Sequence, residues 1–371
     1  FANKELKHLA QKVDEESIFP KESIKKLSAL GLMGIPWDEK YNGGGMDTIS
    51  LVIAIEEMAK ICVSTAVTVM AHTSLGSAPF AYFGTVEQKK KYLTQLSSGK
   101  ILGAFGLTEP NHGSNPSGML TNAKKVDGGY ILNGTKMWIT NGSCADFAIV
   151  WAKTDDGIIK GFIIEKGMEG FSSPEMKHKW SLRASVTSEL IFQDVFVPEE
   201  NLLPNVEGLK GPLSCLNQAR YGIGWGTIGS AMALYDASIQ YANERIQFGR
   251  PIGKFQAIQQ DLAVLSTHVA ASSVAADYAC SSMDKGNPDF AIAVAKSRID
   301  DAVSVGAGIA HQVHGAIGFT YEHGLHFATR RLWAWRAEYG SGSEWSKVLG
   351  EKAISNGADK FWPSITQGNL D

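Results

Sequence analysis

Two short segments hold the residue types in this chain that are best suited to binding chemistry. The first, FGLTEPNHGSN, contains Thr108 and Ser114, and the second, KMWITN, contains Trp138 and Thr140. The loop of the first segment carries few bulky side chains, so its backbone N–H groups and hydroxyls are available to carbonyl or phosphate oxygens. The flat indole of Trp138 can cover one face of a planar ring. Together the segments predict a site for an aromatic ring with a phosphate-bearing tail.

Each segment also has an ordinary structural interpretation. Thr-Glu-Pro and Gly-Ser sequences are found in many turns, so the first segment alone is also a simple loop. Trp138 stands between Met137 and Ile139, where the alternation of a strand would place it in a sheet core. Arg220 and Arg245, in a predicted long helix, suit a phosphate or a polar substrate tail, and equally suit solvent.

Histidines near the end of the chain raise a metal site as a rival hypothesis. They occur in HQVH, as His311 and His314, and in the later sequence EHGLH. No HExxH order is present and Gly315 interrupts the pairs, so we expect surface or hydrogen-bonded imidazoles and no metal. The glycines from Gly43 to Gly45 lack a preceding strand and the GxGxxG spacing, which disfavours a classical dinucleotide-binding fold.

The elements that must position these segments change in character along the chain. Residues 1–100 repeat apolar side chains every three or four positions, as helices do, and Asp47 is placed to cap a helix. Residues 101–205 contain short β-branched and aromatic runs separated by Asp-Gly and Asn-Gly turns, and residues 206–371 return to long helical patterns. The order predicts an α+β fold with an N-terminal helical domain, a central β-domain and a C-terminal helical bundle. The strands predicted are Tyr130–Leu132, Phe147–Trp151, Gly161–Ile164 and Glu189–Phe196, and the long helices are Leu216–Gln247 and Ala257–Met283.

Composition narrows the class of protein. A chain of 371 residues with 44% hydrophobic and 20% charged residues is that of an ordinary folded protein, and a net charge of −3 argues against a nucleic-acid surface. The four cysteines show no CxxC spacing, as in a soluble intracellular protein with reduced thiols. No apolar run reaches the roughly 20 residues that a membrane-spanning helix needs. Because the chain begins at Phe1, the removal of a targeting peptide stays an open alternative. The compartment is therefore either the cytoplasm of a prokaryote or the mitochondrial matrix.

Several motifs in sequence order resemble those of the acyl-CoA dehydrogenase family. The middle of the chain is especially similar to glutaryl-CoA dehydrogenase, whereas the first hundred residues look more like short-chain members. The motifs are GAFGLTEPNHGSN, YILNGTKMWITN, GFIIEKGMEGF, SLRAS, VPEENLLP, CLNQARYGIGWG and ERIQFGRPIG.

The resemblance implies a homotetramer in fatty acid metabolism, with one FAD per subunit, an acyl-CoA substrate, a C-terminal four-helix bundle and an electron-transferring flavoprotein as acceptor. A carboxylate would remove the α-proton of the thioester while the β-hydrogen leaves as hydride to the flavin. The flavin would lie against Phe105, Leu107, Thr108, Ser114, Trp138 and Thr140. The FAD of a neighbouring subunit would be reached by Arg245, Phe248, Gln312 and Gly315. The acyl-CoA channel would be lined by Ser114, Asn217 and Arg220.

The proton-abstracting carboxylate is where the chain departs from the family pattern. The usual base is the Glu of a Tyr-Glu-Gly-Thr sequence, and an ungapped count from Gly318–Phe319–Thr320 puts that position on Tyr339. Glu338 stands one residue early, and one residue along a helix turns a side chain by about 100°. The family's other base position, directly before Arg220, is Ala219 here. We expect Glu338 to be the base, then Tyr339 or another carboxylate. The remaining alternative is an acyl-CoA-binding subunit or flavin monooxygenase.

A second departure concerns the substrate. The glutaryl-CoA subfamily holds the distal carboxylate with an Arg of the N-terminal domain, and the matching position here is Ala66. No Lys or Arg occurs between Lys60 and Lys89. Because an unpaired carboxylate is costly to bury, we expect a short- or medium-chain monocarboxylic acyl-CoA, with the glutaryl-type reaction as the alternative.

Overall fold

The computed structural model describes residues 1–284, 289–336, 338 and 340–367. The chain divides into two compact units. The sheet unit comprises Lys12–Leu51 and Ser64–Ala219, and the helical unit comprises Phe1–Gln11, Val52–Val63 and Arg220–Asp371. Three domains bounded at 100 and 205 stay a prediction.

Short helices precede the sheet, and long helices follow it. The α-helices of the described residues are α1 Lys7–Glu15, α2 Lys21–Ala29, α3 Thr48–Ala59, α4 Val63–Ala71, α5 Ala78–Phe83, α6 Val86–Gln88, α7 Thr94–Ser97, α8 Lys210–Glu244, α9 Gln256–Asp284, α10 Asp289–His314, α11 Leu325–Arg336, α12 Gly342–Asn356 and α13 Ala358–Gln367. Turns of π-helix span Ala2–Leu6, His72–Ser77 and Lys89–Leu93, and 3₁₀ turns span Glu39–Tyr41, Pro116–Gly118, Glu199–Asn201, Ile252–Lys254 and Gly315–Phe319.

The strands form one large sheet and one small hairpin. They are β1 Gly103–Gly106, β2 Asn122–Val126, β3 Gly129–Thr140, β4 Phe147–Thr154, β5 Ile159–Glu165, β6 Phe171–Ser172, β7 Thr187–Pro198, β8 Ile246–Gln247 and β9 Arg250–Pro251. The seven-stranded sheet has the order β1-β4-β2-β3-β7-β6, with β5 also paired to β4. Its core is built from alternating inward residues such as Leu132, Val150, Phe162 and Leu190.

The long helices α8, α9 and α10 are 35, 29 and 26 residues long. Their shared core includes Trp225, Leu265, Ile299 and Leu332. Small buried residues of α9, such as Ala276, let it approach α10 closely. The helical, β and helical order predicted for the fold is confirmed.

Local predictions agree with the structure except at the two ends of the first long helix, which begins at Lys210 and not at Leu216. The four predicted strands lie inside β3, β4, β5 and β7. Asp47 caps α3, since its Oδ1 accepts a hydrogen bond from Ser50 N at 2.8 Å. The prediction that the helix continues to Gln247 is wrong, because α8 ends at Glu244 and the chain turns into β8 and β9 through positive φ angles at Phe248 and Gly249.

Candidate functional site

The structure brings the two polar segments of the sheet unit side by side. Met137 N donates to Thr108 O at 2.8 Å, so the loop after β1 is bonded to β3 directly beside Trp138. The next carbonyl back along the chain, Leu107 O, accepts from Lys136 Nζ at 3.0 Å. The joint arrangement expected from the sequence is therefore present.

A buried ion pair joins these segments and was missed in the sequence. Lys136 is 0% exposed and Glu109 5%, and Lys136 Nζ lies 2.9 Å from Glu109 Oε1. Burial raises the pKa of Glu109, but hydrogen bonds from Leu120 N and from Lys136 outweigh it and lower the pKa to about 2. Burial lowers the pKa of Lys136 to about 8. One signal was available, because Lys136 shares the strand phase of the inward residues Tyr130 and Leu132.

Trp138 is held out of the sheet core. The pairing of β3 with β7 shifts register between Lys136 and Ile139, and Trp138 has a φ of +64° within this bulge. Its indole is 58% exposed. A bulky residue at positive φ is a strained conformation, and such positions cluster at ligand sites. The interpretation of Trp138 as a core residue is wrong.

The other predicted residues of this unit differ in exposure. Phe105 and Leu107 are buried, and the Phe105 ring packs 6.1 Å from the Trp151 ring, so Phe105 is a core residue that offers a ligand only its backbone. Thr108 and Thr140 are half-buried, and Ser114 is exposed in the loop that follows the Glu109–His112 bridge.

The hairpin after α8 carries Arg245 and Phe248. Both are exposed, and Phe248 is 92% exposed at a φ of +50°. Its ring contacts the Phe255 ring edge-on, at 6.0 Å between centroids, and still leaves a large apolar surface in water. This hairpin is available to a ligand or another chain.

Gln312 and Gly315 lie at the same end of the bundle as that hairpin. Ala242 of α8, Leu262 of α9 and Val313 of α10 share one apolar cluster, so these helix ends meet. Gln312 and Gly315 are exposed beside it. All four residues expected to reach a neighbouring subunit's FAD therefore belong to one exposed region of the helical unit.

Arg220 lines a small cavity within the bundle, whose walls include Trp225, Ile292, Lys296 and Ile299. Its guanidinium carbon lies 5.8 Å from the Trp345 ring centroid, within reach of a cation–π contact. Lys296 is 5% exposed, and burial lowers its pKa to about 8. Asn217, also on α8, belongs to the sheet unit and is half-buried.

Glu338 is bonded to Lys296. Lys296 Nζ donates to Glu338 O at 2.7 Å, and Glu338 N donates to Trp335 O at 3.1 Å. Glu338 is half-buried in a turn after α11, so the 100° rotation expected for a helix does not apply to it. The structure therefore bonds the main chain of Glu338 to the buried ammonium of Lys296, which lines one cavity with Arg220. Tyr339 lies outside the described residues.

Within the described residues, no three His, Cys, Asp or Glu side chains form a group suited to a metal ion. The His311 ring centroid lies 4.6 Å from that of Phe319, and the His314 ring stacks on Tyr241 at 4.6 Å. Burial lowers the pKa of both imidazoles. In the same part of the chain, the structure contains no helix that is both long and apolar enough to cross a membrane.

The donor set beside Trp138 suits a flavin. Trp138 is exposed, Thr140 is half-buried two residues later, and half-buried Thr108 is bonded through its carbonyl to Met137 N, directly before Trp138. An isoalloxazine ring is planar, with apolar faces and one polar edge. The indole can therefore stack on a face, and the hydroxyls can hydrogen-bond to the edge. The strained bulge that exposes Trp138 is a further mark of a ligand site. These residues fit FAD.

Known proteins that are similar to this chain are flavoenzymes of the acyl-CoA dehydrogenase class. Models of the acyl-CoA dehydrogenase N-terminal, middle and C-terminal domains match residues 1–100, 104–195 and 207–343. A probable acyl-CoA dehydrogenase, YngJ of Bacillus subtilis, is 41% identical over 332 residues, covering 88% of this chain and 87% of that protein.

Solved structures agree in the same way. Butyryl-CoA dehydrogenase from Megasphaera elsdenii superposes with a TM-score of 0.90 at 36% identity, covering 94% of each chain. A glutaryl-CoA dehydrogenase from Mycobacterium smegmatis in complex with FADH2 gives a TM-score of 0.91 at 35% identity, covering 96% of this chain and 92% of that one. The chain belongs to the acyl-CoA dehydrogenase family. It is an oxidoreductase that uses FAD to dehydrogenate acyl-CoA.

Proposed function

We propose that this enzyme oxidises a short- or medium-chain monocarboxylic acyl-CoA to the trans-2-enoyl-CoA. The observation that carries the substrate class is the uncharged, buried stretch around Ala66. Residues 62–80 are all buried, and none is a Lys, Arg, Asp or Glu. Similarity to a butyryl-CoA dehydrogenase supports the short chain length.

His72 is the titratable imidazole of that stretch. It is fully buried, its Nε2 lies 3.0 Å from Leu96 O, and burial lowers its pKa to about 4. The imidazole is therefore neutral at physiological pH and supplies no cation to a second carboxylate. A dicarboxylic acyl-CoA would leave its distal charge unpaired in this stretch, which opposes glutaryl-CoA as the substrate.

Each flavin-facing residue is assigned a role from its chemistry. FAD, when bound, accepts the β-hydrogen of the substrate as a hydride. Trp138 would cover a face of the ring, and Thr108 and Thr140 would donate hydrogen bonds to its polar edge. Backbone of Phe105 and Leu107 borders the ring, and Ser114 contributes its hydroxyl to the cofactor and to the acyl-CoA channel, together with Asn217 and Arg220.

Glu338 is the proposed base. A carboxylate that removes the α-proton works best when it is ionised at neutral pH yet partly withdrawn from water. Glu338 is half-buried, and the Lys296 ammonium that bonds its carbonyl fixes the turn that carries it. Arg220 and Lys296 line one cavity of the bundle, close to the turn that carries Glu338.

A homotetramer is the proposed assembly. Arg245, Phe248, Gln312 and Gly315 are exposed at one end of the helical unit, and in this proposal they contact the FAD of a neighbouring subunit. Burying Phe248 there would remove a nearly fully exposed phenyl ring from water. An electron-transferring flavoprotein is the proposed acceptor. Light scattering on the FAD-loaded protein tests the assembly, and a monomer would contradict it.

The test is a comparison of acyl-CoA substrates. Initial rates with butyryl-, octanoyl- and glutaryl-CoA, each with an artificial electron acceptor, give kcat/KM for the three chains. We expect butyryl- or octanoyl-CoA to exceed glutaryl-CoA by at least about tenfold, the cost of roughly 1.4 kcal/mol in the transition state. A preference for glutaryl-CoA would contradict the substrate class. Binding of all three without turnover would favour the alternative of an acyl-CoA-binding subunit, which the offset of Glu338 from the family position suggests.

A further inference from the structure

The buried pair of Lys136 and Glu109 has more bonding partners than an ion pair needs. Lys136 Nζ donates to Glu109 Oε1 at 2.9 Å and to Leu107 O at 3.0 Å, and lies 3.9 Å from Met119 Sδ. Glu109 Oε2 accepts from Leu120 N at 2.6 Å, and Oε1 accepts from Thr121 N at 2.9 Å. Lys136 of β3 and Glu109 thus together fix both ends of the loop between β1 and β2.

The bond to Leu107 O sets the direction of a second group. In a planar trans peptide the C=O and the following N–H point in opposite directions, and the described residues contain no cis peptide bond. Because Leu107 O points toward the buried Lys136 ammonium, the Thr108 N–H points the opposite way, away from that ammonium. Lys136 therefore sets the direction of the backbone N–H of Thr108, a residue that is predicted to face the flavin.

The same lysine marks where β3 leaves regular pairing. Lys136 is the last paired residue, opposite Leu190, before the register shift that ends at Ile139. Met137 N then bonds Thr108 O at 2.8 Å, and Trp138 follows at positive φ. Moving the Lys136 side chain would displace both the Thr108 peptide and the start of the bulge that exposes Trp138.

Stability alone does not account for such a pair. Two charges removed from water lose hydration that their mutual attraction repays only partly, and apolar replacements of similar volume are often as stable. A fully buried Lys–Glu pair is therefore weak evidence for a purely stabilising role. Its bonds to Leu107, Leu120 and Thr121 instead fix the conformation of one loop.

We propose that Lys136 and Glu109 form a positioning pair for the flavin, which orients the Thr108 peptide and the Trp138 bulge toward the ring. The proposal rests on the flavin-facing residues given under Proposed function. The pair does not touch the reacting atoms. It acts through Leu107, Thr108 and Trp138.

The test uses the double variant Lys136→Met/Glu109→Gln, which removes both charges while nearly keeping side-chain volume. Apoprotein melting temperature reports folding, and FAD affinity and the flavin absorption spectrum report the site. We expect the melting temperature of the apoprotein to stay within about 4 °C of the native one. We also expect the Kd for FAD to rise about tenfold or more, which is about 1.4 kcal/mol, with a shifted absorption maximum. Native FAD affinity and an unshifted spectrum in the folded double variant would overturn the proposal.

Control variants separate positioning from general effects. Lys125→Met removes the exposed Lys125–Glu199 pair of the neighbouring strand and should leave FAD affinity unchanged. The single variant Lys136→Met leaves the buried Glu109 carboxylate without its ammonium partner and should melt at a lower temperature than the double variant.

If the double variant does not fold, Glu109→Gln, which keeps the lysine, is measured instead, and at least threefold weaker FAD binding is expected. Native affinity in that variant would also overturn the proposal. Failure of the native protein to bind FAD would instead remove the proposed function itself.

Discussion

Lys296 Nζ lies 2.7 Å from the main-chain oxygen of Glu338. The lysine is on α10 and the glutamate is in the turn after α11, so a single buried ammonium connects the bundle core to the residue proposed as the base. Ser341, three residues after Glu338, caps α12 through a reciprocal pair of hydrogen bonds with Glu344. The position of Glu338 therefore depends on contacts that can be removed one at a time.

Replacing Glu338 with Gln should abolish turnover while FAD stays bound. Loss of a general base costs roughly 10²- to 10⁴-fold in rate, so we expect kcat to fall within that range and the KM for butyryl-CoA to change little. Stopped-flow flavin reduction measures the step directly. Glu351→Gln removes an exposed carboxylate of α12, paired with Lys347, and serves as the matched control. Full activity in the Glu338 variant would transfer the role of base to another group.

Lys296→Met should lower kcat and remove a pH dependence of stability. Burial lowers the pKa of Lys296 to about 8, whereas the unfolded value is about 10.4. Between these pH values the unfolded state binds more protons, so the cost of burying this charge is full below about pH 8 and declines as pH rises toward about 10.4. Denaturant unfolding at pH 7.5 and 9.5 should show that the free energy of unfolding rises less between these two pH values in the variant than in the native protein. An equal rise in both would contradict the burial of this charge.

Trp138→Ala should weaken FAD binding without harming the sheet. The indole is 58% exposed, so its removal leaves no cavity in the core, and loss of a ring-covering aromatic should raise the Kd for FAD about tenfold. Phe196→Ala is the matched control, since Phe196 is an exposed aromatic in regular pairing with Ile131 on the partner strand. Flavin fluorescence titration of the two apoproteins distinguishes them. Equal FAD affinities would place the flavin away from Trp138.

Gly226→Ala should displace the end of α11 and so affect Glu338. A Cβ at Gly226 would clash with the Trp335 indole, and Trp335 O accepts the hydrogen bond of Glu338 N. Such overpacking costs about 1–3 kcal/mol of stability, and we expect kcat to fall with it. Gly308→Ala on α10 meets no atom within 4 Å and should leave kcat unchanged, with a stability gain of about 1 kcal/mol at most. Thermal unfolding and steady-state rates of both variants make the comparison.

The sequence predicted elements well where the residue period is regular. The alternation of Tyr130 and Leu132 located β3, and the β-branched run from Phe147 located β4. The end of α8 was missed because the helical pattern continues through Ile246, although the chain there pairs as a hairpin with Pro251. Periodicity reports which face is apolar and not where a backbone turns.

The site was predicted less completely than the fold. Motifs identified Thr108 and Trp138, because their residue types carry the resemblance, but not the conformation that exposes Trp138. Lys136 and Glu109 are 27 positions apart, and the link from Lys296 to residue 338 spans 42 positions. Local sequence patterns do not encode pairings between residues so far apart in the chain. A charged residue is normally predicted to be exposed to solvent, so the burial of these side chains was not expected.

The most direct test of the account is anaerobic titration of the FAD-loaded protein with butyryl-CoA. We expect the flavin absorbance to bleach as the thioester is oxidised to the trans-2-enoyl product, and the Glu338→Gln protein to bind the same thioester with its flavin still oxidised. A protein that binds FAD and butyryl-CoA but keeps its full flavin absorbance would contradict the central claim that this chain dehydrogenates acyl-CoA.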